Sequence, residues 1–93
     1  LITGWSPSAV AAADLTGDGT PELVVTNYNS RDISVLINEG QFRYYSYNTL
    51  NYAVGNGPSA VQCADFDEDG DNDIVVLNDQ DNTIVVLFNL LIE

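Results

Sequence analysis

Apolar residues in this chain come in short runs of small and β-branched side chains, each closed by a turn rich in Asn, Asp or Gly. The first run covers residues 8–13, and a polar loop over 14–22 separates it from a second run over 23–27. A turn at 28–32 leads to a third run at 33–38, then a Glu39-Gly40 turn and an aromatic stretch over 42–47. The pattern returns with runs at 60–64, 74–78 and 83–89. Val, Ile and Tyr enrichment over runs of this length favours strands, and no stretch of about ten or more residues carries helical periodicity. The chain is therefore expected to be all-β.

The returning pattern is a repeat in register. An offset of 51 positions carries Pro7-Ser8-Ala9-Val10 onto Pro58-Ser59-Ala60-Val61 without a gap. The same offset takes Asp14 to Asp65, Asp18 to Asp69, Gly19 to Gly70, Asn27 to Asn78, Ile33 to Ile84 and Asn38 to Asn89. A four-stranded unit of roughly 40–50 residues has the size of a β-propeller blade. The expected division of the 1–93 tandem-repeat unit is 1–5 as the end of an outer strand of a preceding or closing blade, 6–56 as the first repeat and 57–93 as a truncated second. About two four-stranded antiparallel blades are thus expected, the second incomplete. A blade buries both faces against neighbours, so two blades cannot close a ring alone. Neighbouring blades are expected either from the rest of a longer chain or from further copies assembling into a ring.

The loops between the first two runs of each unit carry the chemistry. The second reads Asp65-Phe66-Asp67-Glu68-Asp69-Gly70-Asp71-Asn72-Asp73. Side-chain oxygens at positions 1, 3 and 5 of a tight loop converge on one point, a glycine at position 6 permits the turn, and position 7 offers its backbone carbonyl. Without a cation, carboxylates packed this way would repel by several kcal/mol at an effective dielectric of about 20. Oxygen donors with no His or Cys beside them select Ca²⁺, and less well Mg²⁺ or Mn²⁺, over Zn²⁺. Asp65, Asp67, Asp69 and Asp73 are the expected side-chain ligands, with Asp71 as the carbonyl ligand. In the first loop the corresponding ligands are Asp14, Thr16, Asp18, Thr20 and Glu22. Thr16 supplies a neutral donor where the second loop has Asp67, so this site is expected to bind more weakly. A helical calcium hand would need an acidic ligand at position 12, where the two loops have Val25 and Val76 inside β-branched runs. The loops instead join strand to strand.

Charge narrows the partners. The 93 residues hold 14 acids against Arg31 and Arg43, with no lysine or histidine, for a net charge of −12. Such a chain repels nucleic acid and anionic membranes, and no apolar run approaches the length of a membrane span. Seven of the 14 acids lie between Asp65 and Asp79, a crowding that solubility alone does not require. The single cysteine, Cys63, sits in an apolar run and is expected as a buried small hydrophobe. Every clustered carboxylate belongs to a metal loop, where a cation would keep it ionised and a poor general acid. No catalytic residue and no enzyme activity are expected from these residues. Trp5, between Gly4 and Ser6-Pro7, is the expected contact for a protein or glycan ligand. Tyr44, Tyr45 and Tyr47 are expected to pack on an outer strand.

The strings Ala13-Asp14-Leu15-Thr16-Gly17-Asp18-Gly19-Thr20-Pro21-Glu22-Leu23 and Ala64-Asp65-Phe66-Asp67-Glu68-Asp69-Gly70-Asp71-Asn72-Asp73-Ile74, each followed by a valine-rich strand, resemble the FG-GAP/VCBS repeat family. Tyr52-Ala53-Val54-Gly55 and Gly57-Pro58-Ser59-Ala60-Val61 resemble the family's link between blades. The resemblance covers essentially the whole chain. It implies blades of a propeller like the integrin α-subunit head, with a calcium loop joining the first two strands of a blade. There the ion stiffens the rim and does not bind the ligand directly. Thr16, in place of the commoner Asp or Asn, and Glu22, in place of Asp, depart from the family pattern. The expected function is a calcium-binding module of an extracellular binding, adhesion or scaffold protein. The alternative is the propeller portion of a secreted carbohydrate-active enzyme or lectin whose active residues lie elsewhere.

Overall fold

The computed structural model describes residues 3–38 and 47–89, and these form seven strands and no helix. Strands β1 (Pro7–Ala13), β2 (Glu22–Asn27), β3 (Asp32–Asn38) and β4 (Tyr47–Ala53) make an antiparallel meander in sequence order. Strands β5 (Pro58–Ala64), β6 (Asp73–Asn78) and β7 (Thr83–Leu87) make a second meander built the same way. Two antiparallel sheets, one four-stranded and one three-stranded among the described residues, are the blades that the repeat predicts.

Each sheet presents alternate residues to either side, and the pairing register decides which rows meet. Val24 pairs with Val35, and Ile33 with Tyr52, which puts these residues on one face of the first sheet. That face packs against Val61, Cys63, Ile74, Val76 and Leu87 of the second, and Leu15 from the first acidic loop completes the shared core. Val24, Ile33, Val35 and Val76 lose all solvent contact. At about 1.5–3 kcal/mol for each such side chain, this layer is what holds the two blades together. Cys63 joins it half-buried, and burial pushes its thiol upward from the usual range.

The backbone repeats as faithfully as the sequence. The pairing slips between Pro7 and Ala9 in β1 and between Pro58 and Ala60 in β5. Ser8, at the first bulge, donates from its hydroxyl to the Pro58 carbonyl at 2.7 Å and so ties the two innermost strands. Arg31 and Asn82 take up positive φ at the same place in the two β2–β3-type hairpins. Gly4 and Gly55 occupy matching positions before each unit. A Cβ on either would come within 2.7–2.8 Å of the Asn27 or Asn78 side chain, so the approach to each unit leaves room only for glycine.

The strand boundaries differ from expectation in instructive ways. The outer strand is described over Tyr47–Ala53, paired with β3 from Asp32↔Ala53 to Asn38↔Tyr47, and the aromatic stretch before Tyr47 lies outside the described residues. Alternation along this strand turns Leu50 and Tyr52 into the core layer. Glu39, Gly40, Phe42, Tyr44 and Tyr45 lie outside the described residues. The first strand of each unit begins at its proline, where a missing N–H costs the ladder nothing. The last run, expected to 89, leaves the ladder at Leu87.

Candidate metal centre

Both acidic loops span the connection between the first two strands of their sheet, and they fold alike around their first aspartate. Asp14 Oδ1 accepts from the Gly17 N–H at 2.8 Å, and Oδ2 from the Gly19 N–H at 2.8 Å. In the second loop Asp65 Oδ1 accepts from Asp69 N–H at 3.1 Å and Oδ2 from Gly70 N–H at 2.8 Å. Gly19 and Gly70 stand at φ of 87° and 97°, which a side chain would strain. The fifth position closes the turn: Asp18 accepts from the Thr20 N–H and hydroxyl, and Asp69 from the Asp71 N–H.

These turns bring the acids together. Asp65, Asp67, Asp69 and Asp73 each offer an oxygen within 4.8 Å of the others, three exposed and Asp73 buried. Asp14, Asp18 and Glu22 do the same in the first loop. The Thr16 hydroxyl lies 3.5 Å from both Asp14 Oδ1 and Glu22 Oε1, at the mouth of that group. The carboxylate of Asp71 is not among the four that converge.

Electrostatics records the crowding. Desolvation, then hydrogen bonding and repulsion from Asp69, then the charge of Asp73 push the Asp67 carboxyl up to about 6. Desolvation and the charges of Asp69, Asp65 and Asp73 push Asp71 upward as well. Asp73 moves the other way, held down first by the Asn89 N–H and also by that of Phe66. Asp18 is lowered by its bonds to Thr20.

One task of the ninth-position acid was missed in the sequence. Glu22 is fully buried, accepts from Leu15 N–H at 2.8 Å through Oε1, and from Asn38 N–H at 3.2 Å through Oε2. Asp73, equally buried, accepts from Phe66 N–H at 3.0 Å and from Asn89 N–H at 2.8 Å. Each acid therefore pins its loop to the far end of the third strand. The signal was the Asn that follows it at the same distance of 16 residues in both repeats.

The first loop is also bound to the second unit. The Asn72 side chain donates to the Asp14 carbonyl at 3.2 Å, and the Asn89 side chain to the Leu15 carbonyl at 2.7 Å. Leu15 is 1% exposed between the blades, whereas Phe66, its equivalent in the second loop, is 50% exposed. Trp5, the expected ligand contact, is 79% exposed, with its backbone N–H donating to Ser30 Oγ at 2.7 Å.

Strand–acidic loop–strand units repeated in register, with their sheets packed face to face, define a tandem-blade protein of the β-propeller class. The model for the FG-GAP-like repeat matches residues 14–76, more than half of the chain and both acidic loops. The chain belongs to the FG-GAP-like repeat family. Comparison with curated proteins and with solved structures returns no match.

Proposed function

We propose that the chain is a calcium-stiffened pair of propeller blades serving as a scaffold in an extracellular binding or adhesion protein. The observation that carries this reading is the convergence of Asp65, Asp67, Asp69 and Asp73 within 4.8 Å, with no basic residue in the loop. A hard divalent cation is the partner that offsets such repulsion, and an all-oxygen set with flexible geometry suits Ca²⁺. The ion would be held by those four carboxylates and the Asp71 carbonyl. A second, weaker ion would take Asp14, Thr16, Asp18, Glu22 and the Thr20 carbonyl. Both would fasten the loop to the strand that follows it. On this reading the protein is not an enzyme, and the ion's work is mechanical.

Calorimetric titration with calcium tests the assignment. Two binding events are expected, and Asp69→Asn should weaken the tighter one by about tenfold or more while leaving the other intact. Heat that is unaltered by Asp69→Asn, or no binding at millimolar calcium, would sink the reading.

A further inference from the structure

The entries to the two units are fastened to their sheets by different chemistry. The 51-residue offset carries Trp5 onto Asn56, Ser6 onto Gly57 and Ser30 onto Asp81. In the first unit the Trp5 N–H donates to Ser30 Oγ at 2.7 Å. In the second the Asn56 N–H donates to Asp81 Oδ2 at 2.8 Å, and the Asn56 side-chain amide donates to Asp81 Oδ1 at 2.9 Å. A single neutral contact is replaced by a double one to an anion. Asp81 registers it, held below its ordinary value first by the Asn56 N–H and then by the Asn56 side chain.

Asn56-Gly57 is the one Asn-Gly pair in the sequence. Asn is among the chemically labile side chains, and a glycine after it leaves the next backbone nitrogen unshielded. Packing demands that glycine. Gly57 stands at φ of 70°, and a Cβ there would come within 2.7 Å of Gln80 Cγ and 3.0 Å of the Gln80 backbone nitrogen. The Gly57 carbonyl accepts from the Asp79 N–H at 2.8 Å, so the link is tied to the β6–β7 hairpin on both sides of the labile position.

We propose that Asn56 is a deamidation site, kept closed by Asp81 while the second unit is folded, and that its hydrolysis unfastens the link between the blades. The co-reactant is water. The Gly57 nitrogen gives up its proton and bonds to Asn56 Cγ, and the Cγ–Nδ2 bond breaks to release ammonia. Water then opens the resulting cyclic imide at either carbonyl, leaving aspartate or isoaspartate. Asp81 opposes the first step in two ways. Its hydrogen bonds fix the Asn56 side chain, and an anion accepting from the amide makes Cγ a poorer target for a nitrogen nucleophile. After hydrolysis the side chain has no N–H to donate, and a second carboxylate faces Asp81.

Intact mass and a peptide map of the full chain, followed in mildly alkaline buffer with excess calcium, test it. The mass gain of an amide turned acid is expected at Asn56, several-fold slower in the folded wild type than in denaturant. Asp81→Ser, which installs the residue of the first unit, should remove most of that protection and match the wild type in denaturant. Asp18-Gly19 and Asp69-Gly70 can close the same ring, but with no net change of mass, so they do not disturb the readout. Asn56→Asp, the hydrolysis product, should melt below Asn56→Ala. Should Asp81→Ser fail to fold, the comparison of folded with denatured wild type decides alone. Equal rates in folded and denatured wild type, a folded Asp81→Ser chain as protected as wild type, or an Asn56→Asp chain as stable as Asn56→Ala would overturn the proposal.

Discussion

Asp67 and Asp73 sit in one loop and are pulled in opposite directions. Asp73 is lowered by the backbone N–H of Asn89, while Asp67 is pushed up to about 6 by desolvation and its acidic neighbours. A carboxyl held above its ordinary value of 3.8 stabilises the fold below that value and loses this contribution as the pH climbs through about 6. Asp73 contributes in the other sense, and its contribution is lost only below its ordinary value of 3.8. In chelator, the melting temperature is therefore expected to fall as the pH rises from about 4 to about 6.5. Calcium should abolish that fall. A thermal scan across pH with and without chelator checks both, and a chelated protein that gains stability over that window would contradict the crowding account.

At the scale of elements, the acidic loops do two jobs with one set of side chains. Positions 1 and 5 organise the turn, and position 9 reaches across to the end of the third strand, so hydrogen bonds join the loop to both the second and the third strand of its sheet. Glu22→Ala would remove the acceptor of the buried Leu15 N–H and of the half-buried Asn38 N–H. It is expected to cost roughly 2–4 kcal/mol in denaturant unfolding. Because those bonds are independent of any ion, the loss should persist in chelator. A variant destabilised only in the presence of calcium would restrict Glu22 to a metal ligand.

The elements differ in how readable they were. Strands β1–β3 and β5–β7 follow from short β-branched runs between Asn, Asp and Gly turns, and a shared register fixes both copies at once. The turns of the acidic loops follow from the spacing of Asp14, Asp18 and Gly19 and of Asp65, Asp69 and Gly70. The end of the outer strand follows from the same offset, while the pairing of Leu50 and Tyr52 with Val35 and Ile33 is set by contact with β3 and has no signature of its own in the sequence. The staple formed by Glu22 and Asp73 was hidden for a related reason. Its partners are backbone N–H groups, which have no signature in a sequence beyond distance along the chain.

For the whole molecule, the first acidic loop is an inter-blade element as much as a candidate metal loop. Leu15 fills the core between the sheets, and Asn72 and Asn89 of the second unit hold the carbonyls of Asp14 and Leu15. On the proposed reading, an ion held by either loop would stiffen the joint between blades as well as a hairpin. Blade-to-blade packing could be anticipated from the repeat, but not which asparagines cross from one unit to the other. Asn72 and Asn89 carry no pattern of their own until the two loops are brought together in space.

The central claim is that calcium holds these blades, and thermal unfolding with saturating calcium against excess chelator tests it most directly. A ligand at about 100 times its dissociation constant stabilises by about 2.7 kcal/mol, which for a domain of this size corresponds to a rise on the order of 10 °C or more. The account predicts a rise of that order near neutral pH, reduced by Asp69→Asn. Melting curves that coincide with and without calcium would contradict it.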